Sequence, residues 1–240
     1  MTPDDYLASL REDGYALSAA ARGNLDRPVP SCPEWDVARL VAHVGRTHGW
    51  AEGMVRARAS EQGSAPKAPD RGQRIDWYEA GLERLIATLT ATDPTTSMWT
   101  WHPPRQDAGF WYRRMAQETA VHRVDAQQAV GAVKPVGPAL AVDGVDEWLE
   151  VCVSPEEAAS LTGDGEVIHL HRTDGGEGWT ITVGPDGFAG ARGHHDDPSA
   201  VARGSASDLL LLLWRRLGPD DVIVEGDRAL LDRFLTAVEL

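Results

Sequence analysis

Glu118 and His122 lie four residues apart in the stretch ETAVHRVDAQQAVG, with Asp125 three residues further on. Residues three or four apart share a helix face, so Met115, Glu118, His122, Asp125 and Ala129 form one stripe. That stripe begins with Met and ends with Ala, which directs it toward a core. The segment VARLVAHVGRTHGWAEGMV repeats the pattern, because Leu40, His43, Thr47, Trp50 and Met54 alternate by three and four. His43 therefore shares a face with Leu and Trp. Glu118 and His122 can chelate one ion, and His43 from a second helix adds a third donor. Two neutral imidazoles and one carboxylate suit zinc, with bonds of roughly 2.0–2.2 Å and a fourth position left open. The same set suits iron(II) in a facial triad.

Each piece has a plainer reading when taken alone. A single His on an apolar face is commonly a satisfied core residue, and Glu/His pairs occur on solvated helices. Together, each in register with its own seam, they are harder to explain as plain core, since burying unpaired charge costs several kcal/mol per ion and a metal would relieve that cost. Both readings stay open at this point. His48 falls out of register with His43 and is expected at the surface or beside the ligands. His194 and His195, in GHHDD, are expected in a solvated turn. His169 and His171 alternate on a strand as same-face neighbours with no evident ligand role.

The elements that must position these residues divide the chain in two. Thr2, Pro3 and Asp5 open a helix carrying Leu7, Leu10 and Leu17, which ends at Gly23. Asp36 caps a second helix, a Gly/Pro-rich loop spans 60–75, and a third helix runs over DWYEAGLERLIATLTATD. After the loop TTSMWTWHPPRQ, a fourth helix extends from about Ala108 to Gly131, completing a four-helix bundle. Beyond AVKPVGPA the period changes. EWLEVCV reads as a short helix, EVIHLHRT and GWTITVG as a hairpin across DGGEG, and PDGFAGARG as a possible further strand. SASDLLLLLWRRLG is a capped helix, DVIVEGD a strand and RALLDRFLTAVEL a last helix. The expected architecture is an α+β chain of two domains, residues 1–134 and 138–240.

Composition narrows the function classes. The chain has 240 residues, 42% apolar and 25% charged, with a formal charge of −14. That charge argues against a nucleic-acid partner, which needs a basic surface. No segment has the ~20 consecutive apolar residues of a membrane span, and MTPDDYLASLRED does not read as a secretory signal. Two cysteines, Cys32 and Cys152, make no disulfide framework, so a cytoplasmic setting is the default expectation, and a monomer is expected.

CPEWDVARLVAHVGRTHGWA, FWYRRMAQETAVHRVDAQQAVG and RGSASDLLLLLWRRLG resemble the signature stretches of the mycothiol-dependent maleylpyruvate isomerase family. The resemblance implies a DinB-like bundle followed by a small, sterol-carrier-like α+β domain. It implies zinc on His43, Glu118 and His122, and mycothiol as thiol cosubstrate. The thiolate would add to an electrophilic small molecule, either isomerising a maleylpyruvate-like compound or, in an S-transferase, remaining on the product. The family's C-terminal catalytic arginine matches Arg216, with charge at a helix end as the alternative explanation. Arg113, Arg114 and Arg123 flank the metal helix as further cations for a substrate carboxylate. Asp125 is expected to orient a ligand or an arginine, and Cys32 to belong to the turn before the helix. Trp50, Trp99, Trp101, Trp111 and Trp214 could line a wide pocket or fill core. Outside this family, a metal-free binding module or a zinc-binding regulator would fit the same outline, although a regulator would be expected to use more cysteine ligands.

Overall fold

The computed structural model describes residues 1–176 and 178–239; Glu177, in the DGGEG turn, and the terminal Leu240 lie outside them. Two compact units divide the chain, Met1–Val136 and Gly137–Leu240.

In the first unit, Thr2 and Asp5 satisfy each other's backbone amides in a capping box that opens α1 (Pro3–Ala21). A short antiparallel pair, β1 (Pro28–Val29) and β2 (Cys32–Asp36), leads to α2 (Val37–Ala57), whose cap Asp36 accepts from the Arg39 amide. A 3-10 turn, Arg71–Gln73, runs into α3 (Arg74–Thr90), so the helix starts earlier than DWYEAG suggests. Asp107 caps α4 (Ala108–Val130). Gly131, at φ +69°, ends α4 in the left-handed conformation that glycine adopts without strain. The four helices bury Leu10, Leu17, Leu40, Val41, Tyr78, Leu82, Leu85 and Met115. None of the described helices is long and apolar enough to cross a membrane.

The second unit contains more helix than its sequence suggests. α5 (Pro138–Glu147) continues into a π-helical turn, Trp148–Cys152, which is where EWLEVCV was expected to form a separate helix. α6 (Pro155–Ser160) follows, opened by a Ser154/Glu157 capping box. Five strands then form one sheet: β3 (Glu166–Arg172), β4 (Trp179–Gly184), β5 (Gly187–Arg192), β6 (Ala200–Gly204) and β7 (Ile223–Gly226). Their spatial order is β5-β4-β3-β6-β7, with β3 and β6 parallel and every other pair antiparallel. Ile168, Leu170, Ile181, Ala200 and Ala202 make one face fully buried. α7 (Ala206–Leu213) buries its whole leucine run, and α8 (Arg228–Thr236) buries Leu230, Leu231 and Phe234.

The end of α7 corrects one expectation. The helix stops at Leu213, Trp214 caps it and Arg215 turns left-handed at φ +55°. The amides of Arg216 and Leu217 fold back onto the Leu211 carbonyl at 2.8 and 3.2 Å. Both arginines therefore lie beyond the helix rather than closing its last turn.

Candidate metal centre

His43 stands in the second turn of α2, and Glu118 and His122 sit one turn apart on α4. Glu118 Oε1 lies 3.1 Å from His43 Nε2 and 3.3 Å from His122 Nε2. The two imidazole rings meet edge to face with centroids 4.9 Å apart. Among the described residues, these three are the only His, Cys, Asp or Glu trio whose donor atoms all lie within 4.8 Å of one another. The donor set fits a divalent transition ion. It supplies two nitrogens and one oxygen, all within 4.8 Å of one another.

Asp125 fixes the orientation of His122. Its Oδ2 lies 2.7 Å from His122 Nδ1, while its Oδ1 accepts from Ser31 Oγ at 2.5 Å. A proton held at Nδ1 leaves Nε2 with a lone pair aimed at the metal position, the arrangement that carboxylate–histidine–metal triads use. Asp125 is fully buried, so its charge acts on His122 with little solvent screening. Arg114, also buried, sits 3.4 Å from the other Glu118 oxygen. Trp35, from β2, packs against both histidines with centroids 4.9 and 6.3 Å away.

The charges of the site are strongly coupled. Burial alone would raise the Glu118 carboxyl, but the charge and hydrogen bond of His122, the His43 hydrogen bond and Arg114 outweigh it and hold the group well below its usual range. Burial likewise opposes charge on His122, yet Glu118 and Asp125 raise its pKa to about 9. Without an ion, His122 is therefore a protonated partner of two carboxylates. A metal held here would have to displace that proton, and its binding would release it to solvent.

His48 is not at the surface. It is fully buried, with Nε2 2.8 Å from Thr119 Oγ1. Because Thr119 donates to the Met115 carbonyl, His48 must donate to Thr119. Burial drives its pKa down to about 4 and keeps it neutral. The rim of α2 explains the mismatch. Val41, Val44, His48, Ala51 and Val55 form its deepest stripe, while His43, with 40% of its side chain exposed, sits at the stripe's edge. That edge position leaves the His43 imidazole accessible from outside the bundle.

The flanking arginines are also redistributed. Arg123 is buried and holds Asp13 at 2.9 Å, Gln127 at 2.9 Å and the carbonyls of Lys134 and Pro135, tying down the chain after α4. The cations beside the centre come from elsewhere. A cavity of about 560 Å³ adjoins His43 and is lined by Trp35, Arg39, Arg46, Lys67 and Arg74. Arg39, His43 and Arg46 are spaced by four and three, so this basic edge was written in the same register as the ligand. In the second unit, Arg216 donates to the Trp214 carbonyl at 2.7 Å and lies 5.9 Å from the Trp214 ring. Of the tryptophans, Trp50, Trp99, Trp101 and Trp111 form one cluster with Phe110, in which Trp111 is fully buried and Trp101 exposed.

A helical bundle that presents a three-donor metal set, joined to an α+β domain, defines the class of protein. Two family models match it: the mycothiol maleylpyruvate isomerase N-terminal domain over residues 7–127 and the MDMPI C-terminal domain over residues 139–233. The chain belongs to the mycothiol-dependent maleylpyruvate isomerase family. Among solved structures it is similar to a crystal structure of a mycothiol-dependent maleylpyruvate isomerase, with TM-score 0.64, 14% identity and 95% of each chain covered. A histidine-to-alanine mutant of such an isomerase matches with TM-score 0.66, 15% identity and the same coverage. At that identity the likeness is one of fold. No curated protein matches the chain.

Proposed function

We propose that this chain is a zinc- and mycothiol-dependent enzyme that adds a thiolate to an electron-poor double bond, in the cis–trans isomerisation of a maleylpyruvate-like acid. The grouping of donor atoms from His43, Glu118 and His122 within 4.8 Å of one another carries this reading. Zinc held there would supply the Lewis acidity that keeps a coordinated thiol ionised near neutral pH.

The chain's own groups do the rest. Asp125 holds the His122 proton at Nδ1, and Arg114 engages the second oxygen of Glu118. Arg39, Arg46, Lys67 and Arg74 offer positive charge to the substrate's carboxylates in the cavity beside His43. Sulfur adds to the alkene carbon, and the π electron pair moves onto the conjugated carbonyl as an enolate. The former double bond is then single and rotates. Collapse of the enolate expels the thiolate and leaves the trans isomer, with no atom gained or lost. Sulfur from a cosubstrate is needed because neither Cys32 nor Cys152 belongs to the donor set. Arg216 is assigned the role of the family's C-terminal catalytic arginine, on the match of its LLLWRR sequence.

The test is maleylpyruvate isomerisation with and without mycothiol, run beside other unsaturated and halogenated electrophiles. Isomerisation at full rate without thiol would remove the mechanism. Thiol-dependent consumption of the other electrophiles alone would make the protein an S-transferase with the same first step. Arg216→Ala should lower turnover by orders of magnitude with zinc retained, and Lys should restore it only in part. Unchanged kinetics in that variant would transfer the role to Arg39, Arg46, Lys67 or Arg74.

A further inference from the structure

The second unit gathers four of the chain's eight histidines around one cavity. His169 and His171 project from the same face of β3, opposite Val201 and Arg203 of the parallel strand β6. The loop between β5 and β6 brings His194 and His195 to them. The rings of His169 and His194 meet edge to face with centroids 5.1 Å apart, and those of His169 and His171 lie 5.6 Å apart. Together with His195, Asp196 and Glu225, they line a cavity of about 350 Å³.

One atom in this group lacks a partner. His169 is only 3% exposed, and its Nδ1 is buried with no hydrogen bond. Leaving such an atom unsatisfied is costly, so native proteins rarely keep one without a use. Its neighbours in the cavity are further imidazoles. Burial first, then the adjacent His194, His171 and Arg203, lower the basicity of His169 and keep the ring neutral, which is the form that binds metals. Arg203 would repel a cation, but Glu225 holds it through two contacts of 3.1 and 3.2 Å.

We propose that His169, His171 and His194 form a second transition-metal site, with a fourth position open to His195, Asp196 or water. An all-imidazole set selects zinc, nickel or copper(II) over harder ions. Imidazoles sharing one tetrahedral ion place their ring centroids about 5 Å apart, close to the separations observed here. The bundle donors already lie within 4.8 Å of one another. The second set closes by rotation of His171 and of His194 on its exposed loop, so it binds more weakly.

The test uses the full chain, stripped of metal and titrated with zinc and, separately, with nickel. The wild type should show two binding events. His43→Ala should abolish the tighter one and leave the weaker. The double variant His171→Gln/His194→Gln should keep the tighter event and thiol-dependent turnover, while the weaker event is lost, because one imidazole of the three remains. Zinc should also shift the ring resonances of His169 in the His43→Ala protein. A wild type with a single event that disappears in His43→Ala would overturn the proposal, as would a weaker event unchanged in the double variant. Neither outcome counts against the bundle site.

Discussion

Helices α4 and α7 are both deeply buried, yet they reach that state by opposite routes. α7 buries five consecutive leucines, Leu209 to Leu213, and for them burial is itself the stabilisation, at about 25 cal/mol per Å² of apolar surface. α4 buries Arg114, Gln117, Thr119, His122, Arg123, Asp125 and Gln127. Each of those charges would cost several kcal/mol if left alone, so α4 is tolerable only as a network. Arg123 is matched to Asp13 and to the chain after α4, Asp125 to His122 and Ser31, and Arg114 to Glu118. On the proposed function, the difference separates a structural helix from a functional one. A polar helix in a core is retained for what its polar groups do, and the Glu118–His122 turn is where that network meets an accessible rim.

The strongest test of this contrast removes a donor. His122→Ala and Glu118→Ala should each abolish tight zinc binding and bring turnover to background, as measured by elemental analysis and thiol-dependent assay. Leu212→Ala, equally buried, should leave zinc content unchanged. Normal zinc and activity in His122→Ala would show that α4 buries its polar groups for structural reasons alone.

Stability should separate the helices next. Arg123→Ala leaves Asp13 without its partner in the interior and should cost about 3–5 kcal/mol in urea unfolding of the bundle. Burial, the larger influence on Asp13, already raises its pKa against the opposing Arg123 charge, so without the arginine the carboxyl should rise further. Adding Asp13→Asn to Arg123→Met should recover much of the loss, because no unpaired charge remains. In α7, Leu212→Ala should cost about 2–5 kcal/mol through transfer and cavity terms, and no second polar change should rescue it. Rescue in α7, or its failure in α4, would erase the distinction.

The same contrast decides what the sequence discloses. Three-and-four spacing exposes Glu118, His122 and His43, because side chains at that spacing share a helix face whatever the tertiary packing. The leucine run of α7 is equally plain. His48 is not, because a histidine's burial depends on its neighbours, here Thr119 and Tyr78, which meet it only in the folded bundle. The basic edge of Arg39 and Arg46 shares the register of His43 but resembles any solvated helix face until Lys67 and Arg74 arrive from distant positions. β6 carries no alternating pattern in AVARG, and its place beside β3 is set by parallel pairing across the sheet. α5 is obscured by Pro138 and Gly144, which punctuate loops more often than helices. Local periodicity is legible, whereas partners supplied from far along the chain are not.

The smallest expected effect comes from Asp125→Asn, and its sign depends on pH. The carboxylate steadies His122 with its Nε2 lone pair facing the donors, so losing its charge should weaken metal binding by about ten- to a hundredfold. The same carboxylate also favours a proton on the metal-free His122. Burial opposes that proton, but Glu118 and Asp125 together raise the pKa to about 9. At pH 7 the wild type must therefore displace a proton held about a hundredfold too tightly, whereas the Asn protein holds it less strongly. The two effects oppose each other near neutrality and separate above pH 9, where His122 is neutral in both proteins. Zinc affinities measured from pH 7 to pH 9.5 should differ by less than about tenfold at the lower end, and the gap should widen toward the full cost at the upper end. Proton release on binding should also be smaller for Asp125→Asn at pH 7. A gap that stays constant across this range would mean that Asp125 orients His122 without controlling its charge, and the buried carboxylate would then be as structural as the leucines of α7.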